Sequence, residues 1–125
     1  DIFHCGVPHD AEYWRRKQPV QAHEGKVIRL NPDKVASYVF YHYQMQEEKP
    51  GSFDKYSLIG LHENQLFFYL EKPFVLEPAP QSGALRTTNT PDNWHDVMFP
   101  HFQHWADSAG PDDLWRDTNL ILHVS

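Results

Sequence analysis

At 125 residues, with a formal charge of −6, 40% hydrophobic residues and 22% charged ones, the chain has the size and composition of one globular domain with a real core. Its few basic residues are scattered, with Arg15-Arg16-Lys17 the only run, which excludes the clustered cationic surface a nucleic-acid binder depends on. No apolar stretch approaches the ~20 residues of a membrane helix, and the lone Cys5 excludes an intramolecular disulfide framework and a cysteine-based zinc centre.

Residues 1–25 show no sustained hydrophobic period and carry two prolines and two glycines, which reads as an irregular N-terminal arm anchored by Tyr13 and Trp14. Residues 26–125 then form the domain proper. Lys26-Val27-Ile28-Arg29-Leu30 is a short strand. The segment Asn31 to Glu48 reads as a helix, with Asn31 as N-cap, Pro32 in the first helical position and Asp33 against the positive end of the dipole. Val35, Tyr38, Val39, His42 and Met45 recur at helical spacing and share one face. His42 is thus a sheltered imidazole one turn after a phenol. A single histidine on an apolar face is more often a core residue bonded to a backbone carbonyl; the competing reading is a proton carrier, because imidazole titrates near neutral pH.

Pro50-Gly51-Ser52 ends the helix. Lys55 to Leu61 and Gln65 to Glu71 are rich in branched and aromatic residues, and His62-Glu63-Asn64 between them suits a hairpin loop. Residues 72–89 contain three prolines and read as a long loop. Thr90 and Pro91 repeat the earlier start signal and predict a second helix, with Trp94, Met98, His101, Phe102 and Trp105 as its stripe and Pro100 bending or dividing it. Thr118 to Val124 closes the chain as a strand. The order strand, helix, strand, strand, helix, strand predicts an α+β domain of the ferredoxin-like, split βαβ class: a four-stranded antiparallel sheet with two helices on one face and a cavity between the layers.

NPDKVASYVFYH, followed by DKYSLIGL, ENQLFFYLE and a tryptophan-bearing second helix, resembles the L-rhamnose mutarotases from about Lys26 to Val124. The resemblance implies a homodimeric α+β barrel that interconverts the α and β anomers of L-rhamnose or a related deoxysugar without cofactor or metal. It implies His42 as acid/base with Tyr38 as its partner, and Tyr56 and Trp94 as sugar contacts. His95 stands where relatives carry a second tryptophan beside the first and is taken with Tyr56 and Trp94 as a candidate substrate-binding residue. The expected partner is a small monosaccharide and a second copy of the chain, with neither nucleic acid nor membrane. The expected compartment is the cytoplasm, with a processed or secreted form as the alternative for a chain that begins at Asp1.

Anomer exchange needs one group to protonate the ring oxygen while another removes the anomeric hydroxyl proton, so two positioned proton carriers suffice. Tyr41, Tyr56, Phe68, Trp94 and Trp105 offer aromatic faces to the apolar side of a sugar, although most aromatics in such a chain fill a core. Two other function classes compete. Nine histidines, with His95, His101 and His104 close in sequence and Asp107 beyond them, suggest a metal- or haem-binding barrel protein. A non-catalytic sugar-binding module is the other.

Overall fold

The computed structural model describes residues 2–4, 9–108, 110 and 113–118, the first three by their backbone. The chain is α+β, built on one antiparallel sheet. In chain order the elements are strand β1 (Ile2–His4), a one-turn helix α1 (Ala11–Trp14), strand β2 (Ala22–Leu30), helix α2 (Val35–Glu48), strands β3 (Leu58–His62) and β4 (Gln65–Lys72), helix α3 (Trp94–Met98), and the two-residue strands β5 (Phe102–Gln103) and β6 (Arg116–Asp117). The sheet runs β1-β3-β4-β2-β5, and β6 lies against β2 on the same side as β5.

The centre of the sheet is the pairing of β2 with β4, from Ala22 opposite Lys72 to Arg29 opposite Gln65. Side chains alternate across a strand, so Lys26, Ile28 and Leu30 point to one face, with Phe68 and Leu66 opposite Lys26 and Ile28. Ile59 and Leu61 of β3 join them through their partners Phe68 and Leu66. Both helices cover this face: Tyr38 from α2 and Met98 from α3 belong to one buried cluster with Ile28, Leu30, Ile59, Leu66 and Leu114. Ile28, Leu30 and Leu66 are completely buried. On the opposite face Phe67 remains 46% exposed.

Several expectations need correction. The sheet has six strands where four were expected, because the arm contributes β1 beside β3 and the chain after Pro100 contributes β5. The arm is also less irregular than its composition suggests: Asp10 caps α1 by accepting from the Tyr13 N–H at 2.9 Å, and β2 starts at Ala22, four residues before the predicted strand. Asn31 does not cap α2. A 3-10 turn over Pro32–Lys34 intervenes, and the Asn31 amide donates to the Pro100 and Phe102 carbonyls at 3.3 and 3.2 Å, tying the start of α2 to the end of α3. Thr90 is no helix cap either, since its N–H and its hydroxyl both go to Glu48. The second helix therefore begins at Trp94 and stops at Met98. Pro100 lacks the N–H to continue it, the chain tightens into a 3-10 turn over Phe99–His101, and Phe102 enters the sheet opposite Leu30. The last predicted strand is seen at its start, where β6 and the Thr118 N–H bond to β2, while residues 119–124 lie outside the described residues.

The hairpin between β3 and β4 turns at Glu63 and Asn64, with Glu63 in the left-handed region at φ 55°. The Asn64 side chain donates to the Leu30 carbonyl at 2.9 Å and its own carbonyl accepts from the Leu30 N–H at 2.7 Å, so the turn also fixes the end of β2.

Ile28→Ala removes a completely buried side chain at the centre of the sheet and is expected to cost about 2–5 kcal/mol of unfolding free energy. Urea denaturation monitored by far-UV circular dichroism checks this, with a lowered midpoint and an unchanged slope as the expected result.

Candidate functional site

Between the sheet and the two helices lies an open cavity of about 530 Å³, within the about 300–1,000 Å³ range of small-molecule sites. Lys26, Ile59 and Phe68 form its floor on the sheet. Tyr38 from α2, Trp94 and His95 from α3, and Trp115 from the segment before β6 form its walls. A second cavity, of about 320 Å³, lies under the arm and is lined by Arg16, Tyr56 and Phe74 among others. The first is larger and is the one that gathers the titratable side chains singled out on the helices.

Tyr38 and His42 face the sheet one helical turn apart, 3% and 5% exposed. Their rings stack at 4.2 Å with a 33° tilt, and the Trp94 indole meets the His42 imidazole edge-on at 5.1 Å. The His42 Nδ1 lies 2.9 Å from the Tyr38 carbonyl. A carbonyl can only accept, so Nδ1 carries the proton and Nε2 is the basic nitrogen of the neutral ring. This is the carbonyl-bonded geometry of a core histidine, yet it also fixes the tautomer as a proton carrier requires. Burial pushes the Tyr38 phenol well above its ordinary range, so it stays protonated at any working pH and can donate but not act as a phenolate base.

The structure brings Tyr38, Trp94 and His95 to one cavity and sets His42 directly behind Tyr38, against Trp94, without making it part of the lining. Tyr56 is elsewhere. Its ring lies under the Arg16 guanidinium at 4.4 Å and against Trp14 at 6.2 Å, on the wall of the second cavity. Arg16 holds the arm there by donating to the Pro73 carbonyl at 3.0 Å and pairing with Glu71 at 3.4 Å. Among the other aromatic candidates Phe68 lines the site, whereas Trp105 stacks between Arg29 and Arg116 and donates its indole N–H to the Leu114 carbonyl.

His95, His101 and His104 do not assemble into one cluster. Because the chain leaves the helix after Met98, His101 and His104 share no helical face. His101 is buried with Nδ1 at 3.0 Å from the Val97 carbonyl and Nε2 at 2.8 Å from the Ser37 hydroxyl, so both ring nitrogens are engaged. Among the described residues no group of three or more His, Cys, Asp or Glu side chains is placed to hold a metal ion, and no helix is long and apolar enough to cross a membrane.

Two site features escaped sequence reasoning. One is Lys26, which opens the strand expected from the sequence and whose alternation with Ile28 and Leu30 assigns it to their face. The other is the acidic end of α2. Glu47 and Glu48 occupy the last turn, where the helix dipole disfavours negative charge, and that turn has no basic residue. Their partners come from the long loop. Glu48 accepts from the Thr87 hydroxyl, from the Asn89 N–H at 2.8 Å and from the Thr90 N–H at 2.6 Å as well as its hydroxyl, and the Glu47 side chain accepts from the Ala84 N–H at 2.6 Å. Gly83 is needed for the close approach, since a Cβ there would stand 2.0 Å from the Glu47 carbonyl oxygen. This latch holds the strand of loop that leads into Trp94 and His95. Desolvation works to raise the Glu48 pKa, but the hydrogen bonds from Thr87, Thr90 and Asn89 outweigh it and hold the carboxyl at about 2.

A depressed carboxyl pKa contributes stability that is present above its ordinary value of 4.5 and is lost as pH falls toward about 2. Amide exchange at Asn89 and Thr90 is therefore expected to be protected at pH 5 and to lose protection on acidification across that window, while Glu48→Gln shows weak protection at both ends. Tyr38 gives the opposite slope. Its raised pKa contributes stability that is complete below the ordinary phenol value of 10.0 and declines as pH rises beyond it, so denaturation midpoints measured from pH 9 to 11 should fall more steeply for the parent than for Tyr38→Phe.

Comparison with protein-family models, with curated proteins and with solved structures finds no match to this chain. The chemistry of the site rests on its geometry.

Proposed function

We propose that the protein is an aldose mutarotase that interconverts the α and β anomers of L-rhamnose or a related deoxysugar in the cavity between sheet and helices. The observation that carries this reading is the stacked Tyr38–His42 pair, of fixed tautomer, at the wall of a cavity whose remaining surface is largely aromatic. The aromatic faces of Trp94, Trp115 and Phe68 suit the apolar side of a deoxysugar ring and its methyl group. The protonated Tyr38 phenol donates toward the ring oxygen, and His42 Nε2, behind the cavity wall, takes the anomeric proton through an intervening water; the ring opens, rotation about C1–C2 follows, and both protons return as the ring recloses. The strand order β3-β4-β2-β6, with a helix after β2 and another after β4, is that of a split βαβ unit. It supports the ferredoxin-like assignment and, through the half-exposed Phe67 face, assembly of two copies as a dimeric α+β barrel.

One observation favours a second reading. His42 is only 5% exposed and lies behind the cavity wall, which suits a non-catalytic sugar-binding module in which the imidazole merely props Tyr38 and Trp94.

Saturation-transfer NMR of L-rhamnose separates the two. The parent protein should accelerate α/β exchange over buffer at matched pH, His42→Ala should reduce the acceleration by about 10²-fold, and Tyr38→Phe should reduce it by a smaller factor. Sugar binding without acceleration, or acceleration that survives His42→Ala, would overturn the catalytic assignment.

A further inference from the structure

We infer that the natural ligand of this cavity carries a carboxylate, as a uronic acid does, and that the Lys26 ammonium is its counter-ion. The inference rests on the sugar reading of the site and replaces the neutral deoxysugar by an acidic sugar as the preferred substrate. Lys26 sits in the middle of β2, opposite Phe68, on the face that carries Ile28 and Leu30 on one side of it and Glu24, paired with Lys72, on the other. It stands where the buried part of that face ends, with its side chain 32% exposed. The carboxylate near Lys26 is that of Asp117, 3.2 Å away and 81% exposed, and an ion pair so open to water is weak and readily exchanged.

The charge of the cavity runs against that of the chain. Acidic residues outnumber basic ones by 17 to 11, yet among the described residues no aspartate or glutamate lines the cavity, whereas Lys26 and His95 do. Lys26 lines the cavity with Phe68, Trp94 and Trp115, and a neutral sugar gains only hydrogen bonds from its ammonium. A monoanion gains an ion pair: its carboxylate meets Lys26 while the sugar ring lies on Trp94 and Trp115. A single ammonium also matches a single negative charge better than it matches a phosphate dianion, which draws on guanidinium forks, and among the described residues no arginine lines the cavity. Lys26 is here a specificity-determining residue and takes no part in the proton transfers.

The test compares each of D-glucuronate, D-galacturonate and L-iduronate with its neutral parent aldose, reading affinity from tryptophan fluorescence and anomer exchange from NMR. At least one uronate should bind the parent protein about tenfold more tightly than its aldose, with a preference that weakens in high salt. Lys26→Met should bring that ratio close to unity. Asp117→Asn, at an exposed position where misfolding is not a concern, should strengthen uronate binding about two- to threefold by freeing the ammonium. Equal affinity for acid and aldose in all three pairs, or a preference that survives Lys26→Met, would overturn the inference. Lys26-dependent uronate binding without accelerated exchange would sustain it and remove the mutarotase; acceleration of neutral and acidic sugars alike, independent of Lys26, would do the reverse.

Discussion

The register of β2 against β4 is the constraint on which the rest of the structure depends. It sets Ile28 opposite Leu66 and Lys26 opposite Phe68, and so decides in one step which side chains become core and which become cavity floor. A slip of one residue would turn all of them to the other face. What holds the register is local: Asn64 in the hairpin bonds both backbone groups of Leu30, the last residue of β2. The cavity is the continuation of the core along the same face, where Ile28 gives way to Lys26 and packing gives way to open space. The site is thus made where the buried part of a central strand's inner face ends and its charged part, Lys26 and Glu24, begins.

The helices complete this arrangement by coupling to one another as much as to the sheet. Asn31 bonds the carbonyls of Pro100 and Phe102, and Ser37 meets His101, so the beginning of α2 is tied to the end of α3. At the far end of α2, Glu47 and Glu48 bind the loop that precedes α3. The five-residue α3 could not stand alone, because helices this short lack the cooperativity to persist in water. It is held at both ends by partners from α2, and Trp94 and His95 acquire their positions from that double attachment. The unfavourable charge at the C-terminus of α2 has a structural use, since its carboxylates replace the helix cap that the loop cannot provide for itself.

The parts legible in the sequence were those governed by period. The alternation of β2, β3 and β4 and the helical spacing of Tyr38 and His42 translate directly into faces, and both residues are indeed buried on the sheet side. The parts that failed were those in which a polar side chain had a choice of partner. Asn31 and Thr90 both look like N-caps, but each finds a stronger partner far along the chain, and no local pattern reveals which alternative prevails. The N-terminal β1 was illegible for a related reason: three residues of edge strand take their order from β3 and show no period of their own. Tyr56 illustrates the limit of strand patterning. It falls just before β3, where alternation no longer fixes its direction, and the arm claims it through Arg16.

The long loop between β4 and α3 is pinned near both ends. Lys55 binds the Val75 carbonyl through its N–H and Glu77 through its side chain, and the α2 carboxylates bind residues from Ala84 onward. Between these anchors Pro80, Gln81 and Ser82 are exposed and carry none of the bonds that shape the cavity. The polypeptide is therefore divisible there in a topological sense: new termini, or an inserted passenger domain, could be placed at this spot while both flanks stay docked. On either side of that opening the two halves would be kept together by the sheet, β2 with its helix on one and α3 with the remaining edge on the other, so the continuity of the chain and the continuity of the site are separable properties of this fold.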